Sequence, residues 1–171
     1  MKKYILSVDP GPIKSGYIFL SLLNNNTFGI INKNHIDNDT MKRIMINKCI
    51  MNHNLEIVIE TIVSYGTVMG QTTINTSIWA GRFFQIAQDV NSKVSFLSRP
   101  EVKMNLCKDS RAKRANMKQA IKDRFGEYGT KKNPGRLYDL KTNLEKGMLE
   151  HIWAAFELAI TYIDITYGEA K

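Results

Sequence analysis

Cysteine is scarce in this chain. Its 171 residues include two, Cys49 and Cys107, at no paired spacing, which excludes a disulfide framework and a cysteine-based zinc site and points to a reducing compartment. Long apolar runs are absent as well, and no segment could span a bilayer. The apolar stretch behind Met1-Lys2-Lys3 reaches Asp9 at once, too short for the core of a signal peptide. A soluble, cytoplasmic protein with no membrane partner is expected. Asp9-Pro10-Gly11 is no glycine-rich phosphate cradle of the Walker or dinucleotide type. Neither an internal repeat nor a linker divides the chain. Residues 1–171 therefore read as one domain, with 43% hydrophobic content that is ordinary for a globular core.

Acid is thin in one stretch. From Arg99 to Lys141 there are 13 Lys/Arg against 5 Asp/Glu, while the rest of the chain holds 11 of each sign. One contiguous region thus carries the whole net charge of +8, as a surface facing a polyanion would. On charge alone, a solvated basic face without a partner is an equal alternative.

What is present reads as alternating strands and helices. Tyr4 to Asp9, Ser15 to Leu22 and Thr27 to Asn32 read as three strands on short links, hence an antiparallel meander. Asp37 to Thr40 can cap a helix to about Asn52, with Ile44, Ile46, Cys49 and Ile50 as its stripe. Leu55 to Glu60 is a fourth strand. A helix from Asn75 or Thr76 to about Val90 carries Ile78, Trp79, Phe83, Ile86 and Ala87 on its apolar side, and Gly81 there could admit a second helix. Val94 to Leu97 is a fifth strand. Helices follow from Arg99, from Lys113 to Phe125 and from Met148 to about Ile165, with irregular chain between Gly126 and Leu144. This order implies an α/β fold, a mixed sheet with helices packed on it.

Two of these strands end in a carboxylate, Asp9 and Glu60. If the strands are parallel neighbours, both acids emerge at the edge where open α/β sheets place their sites. Facing carboxylates repel unless a cation lies between them, and hard oxygen donors suit Mg²⁺ or Mn²⁺. Phosphodiester hydrolysis uses such ions. Two unrelated acids solvated at strand ends are the alternative.

Several segments resemble the RuvC-type Holliday junction resolvases. Val8-Asp9-Pro10-Gly11 with Ser15-Gly16-Tyr17 resembles their opening motif, and Ile59-Glu60 their second acidic motif. Pro100-Glu101-Val102-Lys103 and Arg111-Ala112-Lys113-Arg114 resemble their basic region, and His151 to Ala159 their C-terminal motif. Tyr65-Gly66 and the helix around Trp79-Ala80-Gly81-Arg82-Phe83 are similar to the bacteriophage branch. The resemblance implies an RNase H-like fold with a five-stranded mixed sheet, a homodimer, and Mg²⁺- or Mn²⁺-dependent nicking of four-way DNA junctions. By position it makes Asp9 and Glu60 metal ligands and puts Lys103 and Arg114 on DNA near the scissile phosphate. His151 and Ala154, three apart on one helix face, occupy the remaining catalytic and metal positions. His151 would bind metal or orient the attacking water.

The family pattern has Asp where this chain has Ala154. Either a point change has removed an acid, leaving a protein that binds junctions and cuts them poorly, or Glu150 or Glu157 stands in. A DNA-branch binder without catalysis and an RNA–DNA hybrid nuclease are the competing functions. After Glu60, the position of a junction-wedging Phe in some relatives is Val63, with Tyr65 nearby, so weak sequence preference is expected. Lys108, Arg111, Lys113 and Lys118 in the basic region, and Lys131, Lys132 and Arg136 in the loop 131–136, are expected to meet DNA phosphates. His35 and His53 receive no role.

Overall fold

β-Branched and aromatic side chains with period two build the sheet. The computed structural model describes residues 3–23, 25–52, 54–64, 66, 68–141 and 148–170; His53 and Tyr65 lie outside them. β1 (Lys3–Asp9), β2 (Lys14–Leu22) and β3 (Phe28–Asp37) form the antiparallel meander; β4 (Leu55–Thr61) and β5 (Lys93–Ser98) add in parallel on the other side of β1. The order across the sheet is β3-β2-β1-β4-β5. The architecture is α/β, a mixed five-stranded sheet with helices on both faces.

Alternation sorts the strands' side chains into two cores. Ile5, Ile18, Leu20 and Val58 face α6 (Met148–Tyr167), with α3 (Arg99–Cys107) and α4 (Arg114–Phe125) packed behind it. Leu6, Val8, Phe19, Ile57 and Ile59 face α1 (Asn38–Met51) and α2 (Gln71–Asp89). Every residue of α6 from Ile152 to Ile163 is buried, as expected of a helix enclosed by a sheet on one side and helices on the other. A short α5 (Tyr138–Lys141) lies in the stretch read as irregular.

Three local expectations change. β3 continues past Asn32 to Asp37; this polar edge strand carries little hydrophobic signal and is held by its ladder to β2. α1, capped by Asp37 accepting from the Thr40 N–H at 2.8 Å, buries the i, i+3, i+4 row of Asn38, Met41, Met45 and Cys49, and Ile50, off that row, is 65% exposed. α2 begins at Gln71 and leaves Ile78 48% exposed. An added Cβ at Gly81 would meet open space, so among the described residues nothing packs closely there.

Candidate active site

Strand periodicity aims the acids. Asp9 lies four residues beyond Ile5 and Glu60 two beyond Val58, so both share the sheet face that α6 covers. β1 and β4 are parallel with Val8 beside Ile59; Asp9 and Glu60 are the next residues of neighbouring strands. β5 lies alongside with Leu97 beside Glu60, and two residues on Arg99 opens α3.

α6 reaches this edge through His151. Its Nδ1 lies 2.9 Å from Asp9 Oδ2, and since an ionised carboxylate only accepts, Nδ1 carries the proton of that bond. The contact depends on Gly16, where a Cβ would lie 2.7 Å from the His151 backbone. The Asp9 hydrogen bond, the leading cause, together with the Asp9 charge lifts His151 above the usual imidazole range, against partial burial. His35 pairs with Gly16 across the β2–β3 ladder and stacks on His151 with ring centroids 4.2 Å apart. Burial, and then the neighbouring His151 and Lys14, hold His35 below that range.

The loop after Asp9 is tied to the start of α1. Ser15 Oγ accepts from the Gly11 N–H at 3.3 Å and donates to Asn38 Oδ1 at 2.6 Å; Asn38 Nδ2 donates to the Gly11 carbonyl at 3.0 Å. A Cβ on Gly11 would fall 2.2 Å from the Lys14 carbonyl oxygen, so the turn needs glycine there.

Glu60 is 16% exposed. Burial first, and then the Asp9 charge, push its carboxyl up to about 7, with Arg99 opposing. Arg99 Nη1 lies 3.5 Å from Glu60 Oε2, and Nη2 donates to Glu157 Oε2 at 2.7 Å. Glu157 is fully buried; burial raises its carboxyl despite Arg99. Its Oε1 has no hydrogen-bond partner among the described residues.

The donor set tests the metal expectation. Among the described residues no three His, Cys, Asp or Glu side chains are grouped to cage a metal by themselves. Mg²⁺ characteristically takes one or two carboxylates and completes its shell with waters and substrate phosphates, and Asp9 with Glu60 fits that pattern. Ala154 does not belong to the set: it is a buried methyl group with no donor atom. Of the candidate substitutes, Glu150 is exposed and paired with Arg114 at 2.5 Å, whereas Glu157 faces the site through Arg99.

Lys103, Arg111, Lys113 and Arg114 line an open recess with Arg99, Ala112 and Met117. Lys118, one turn beyond Arg114 on α4, adds its charge to those acting on Glu150 and Glu157 and has Nζ 5.8 Å from the Trp153 ring centroid. The other basic candidates lie elsewhere. Lys108 closes α3 with φ 56° and borders Arg124, Asp164 and Glu169. Lys131 and Lys132 are exposed in a turn closed by the Gly129–Pro134 bridge. Arg136 lies over Phe28 and Phe125, at the opposite end of β3 from His35.

Sequence reasoning passed over Arg99, His35, Ser15 and Asn38. Arg99 carried a usable signal, following directly on a strand parallel to the one ending at Glu60. His35 carried none, because its strand was read as ending at Asn32.

No family model and no curated protein matches the sequence. Solved structures do match. Thermus thermophilus RuvC superposes with a TM-score of 0.67 at 13% identity, covering 98% of each chain. The fold is similar to that of RuvC. T. thermophilus RuvC in complex with Holliday junction substrate gives 0.66 at 12% identity, over 93% of this chain and 92% of that one. The yeast mitochondrial Holliday junction resolvase gives 0.59 at 13%, over 93% and 78%.

Proposed function

We propose that this chain is a structure-selective endonuclease that hydrolyses phosphodiester bonds in four-way junctions and other branched DNA, using Mg²⁺ or Mn²⁺. The observation that carries this reading is the Asp9–Glu60 pair at adjacent parallel strand ends, under His151 and close to a recess lined by Lys and Arg. The likeness in fold to a RuvC solved with Holliday junction substrate supports it.

Asp9 and Glu60 would hold the cation, which when bound polarises the phosphate and lowers the pKa of an attacking water. Glu60 binds a cation only when ionised, so the ion competes with the proton that burial favours there. His151 stays oriented by Asp9 and can take a proton from water on its second ring nitrogen. Lys103, Arg111, Lys113 and Arg114 hold backbone phosphates without reading sequence. Two equivalent strands at a junction call for two equivalent sites, which a two-fold homodimer presents.

The test is cleavage of an immobile four-way junction, a linear duplex and an RNA–DNA hybrid with Mg²⁺ or Mn²⁺. Junction cutting that is lost in Asp9→Asn and Glu60→Gln is expected, as is a strong gain in Ala154→Asp. Ala154 favours one second reading, a branch binder with little catalysis. Tight junction binding without cutting by the chain or by Ala154→Asp would select it, and preference for the hybrid would reject both.

A further inference from the structure

α6 offers no donor atom at Ala154, and three residues further it offers a carboxylate engaged in an unusual way. Glu157 is fully buried with one oxygen unpartnered among the described residues and the other accepting from Arg99 at 2.7 Å. A buried ion pair is a weak source of stability, because desolvation offsets most of the attraction. This one fixes the direction of a guanidinium. Arg99 also reaches Glu60 at 3.5 Å and borders the recess shared by Lys103, Arg111, Lys113 and Arg114. It therefore stands between the acid pair and the surface where a DNA backbone would lie.

We propose that Arg99 takes the place of a second metal ion. On this assignment, which rests on the nuclease reading above, Asp9 and Glu60 hold one divalent cation. Arg99, positioned by Glu157, supplies the second positive charge to the phosphate being cut. The guanidinium is permanently charged and presents a planar fork of donors, so Nη2 can stay on Glu157 while Nη1 leaves Glu60 for a phosphate oxygen. Arg99 gives and takes no proton. The water oxygen forms the new P–O bond and yields its proton to His151, the bond to the sugar oxygen breaks, and that oxygen leaves with the electron pair and is protonated by solvent. Asp at position 154 would add a ligand for another cation; Ala154 leaves that charge to Arg99.

Mn²⁺ binding and cleavage test this together. Calorimetric titration with Mn²⁺ is expected to give one ion per chain for the protein and two for Ala154→Asp; two ions on the unaltered chain overturn the proposal. In single-turnover cleavage of a four-way junction, Arg99→Gln is expected to lose about 100-fold in rate with little change in junction affinity. The same change in the Ala154→Asp background should cost about tenfold or less, since a second ion now carries the charge. Equal losses in both backgrounds overturn the proposal. Glu157→Gln should slow cleavage in the parent and add nothing once Arg99 is Gln. That double variant removes both members of the ion pair at once, so no buried Glu157 charge is left unpaired, and keeps the comparison usable if Arg99→Gln alone unfolds. Should no variant cut any branched DNA, the nuclease reading fails, and the Mn²⁺ count still decides whether the site is built for one ion.

Discussion

Glu60 links residue chemistry to stability. Its folded carboxyl is pushed up to about 7 because burial and Asp9 disfavour its charge, whereas an unfolded Glu titrates at about 4.3. Between these values the native state binds more protons than the unfolded state, so stability falls as pH rises through this window. The loss, complete above pH 7, is on the order of 3–4 kcal/mol without metal. Differential scanning calorimetry in EDTA is expected to show the parent less stable at pH 8 than at pH 5, and Glu60→Gln more stable than the parent at pH 8. Mg²⁺ should restore the parent at pH 8 and leave Glu60→Gln unmoved. A parent with flat stability over that range contradicts the assignment. Gly16 makes a steric statement at the same scale. Its missing Cβ is what lets the His151 backbone approach, so Gly16→Ala should cost about 1–3 kcal/mol as an overpacking change. It should also slow cleavage by displacing His151, and a denaturant melt beside a cleavage assay reads both.

Among the elements, the connection between β1 and α1 decides how well Asp9 is held. Asn38 is buried, accepts from Ser15 and donates to the Gly11 carbonyl. Asn38→Ala leaves two buried polar groups without partners and should cost about 2 kcal/mol. Weakened Mg²⁺ binding in titration calorimetry, with the sheet retained by circular dichroism, is the accompanying expectation. Much of the element order was legible because β1, β2, β4 and α6 carry strong apolar patterns, and strand-terminal acids on β1 and β4 stand out against them. β3 was half missed because Lys33, Asn34 and His35 are polar, half-buried side chains on an edge strand with no hydrophobic period. The stripe of α1 was misread because methionines, rather than isoleucines, face the sheet. Glu157 was visible only as a candidate substitute for an acid at 154. What it does depends on Arg99, which lies 58 positions away in the chain and carries no local pattern linking the two.

For the whole molecule, the proposed function makes the basic recess the source of a salt response. Each phosphate neutralised contributes about −0.9 to the slope of log binding constant against log salt. Junction binding followed by fluorescence anisotropy should weaken steeply with salt, and Lys103→Glu should flatten the slope by about one or more. Analytical ultracentrifugation should return a dimer, and a monomer at micromolar concentration would contradict the two-site arrangement. The bond between Asp9 and His151 joins positions 142 apart. A ribosome making this chain releases the acid of β1 long before the helix that meets it. Until α6 docks, a nascent chain has strands that can pair while Asp9 still lacks its His151 partner, so the site proposed to cut DNA is completed only after translation has passed α6.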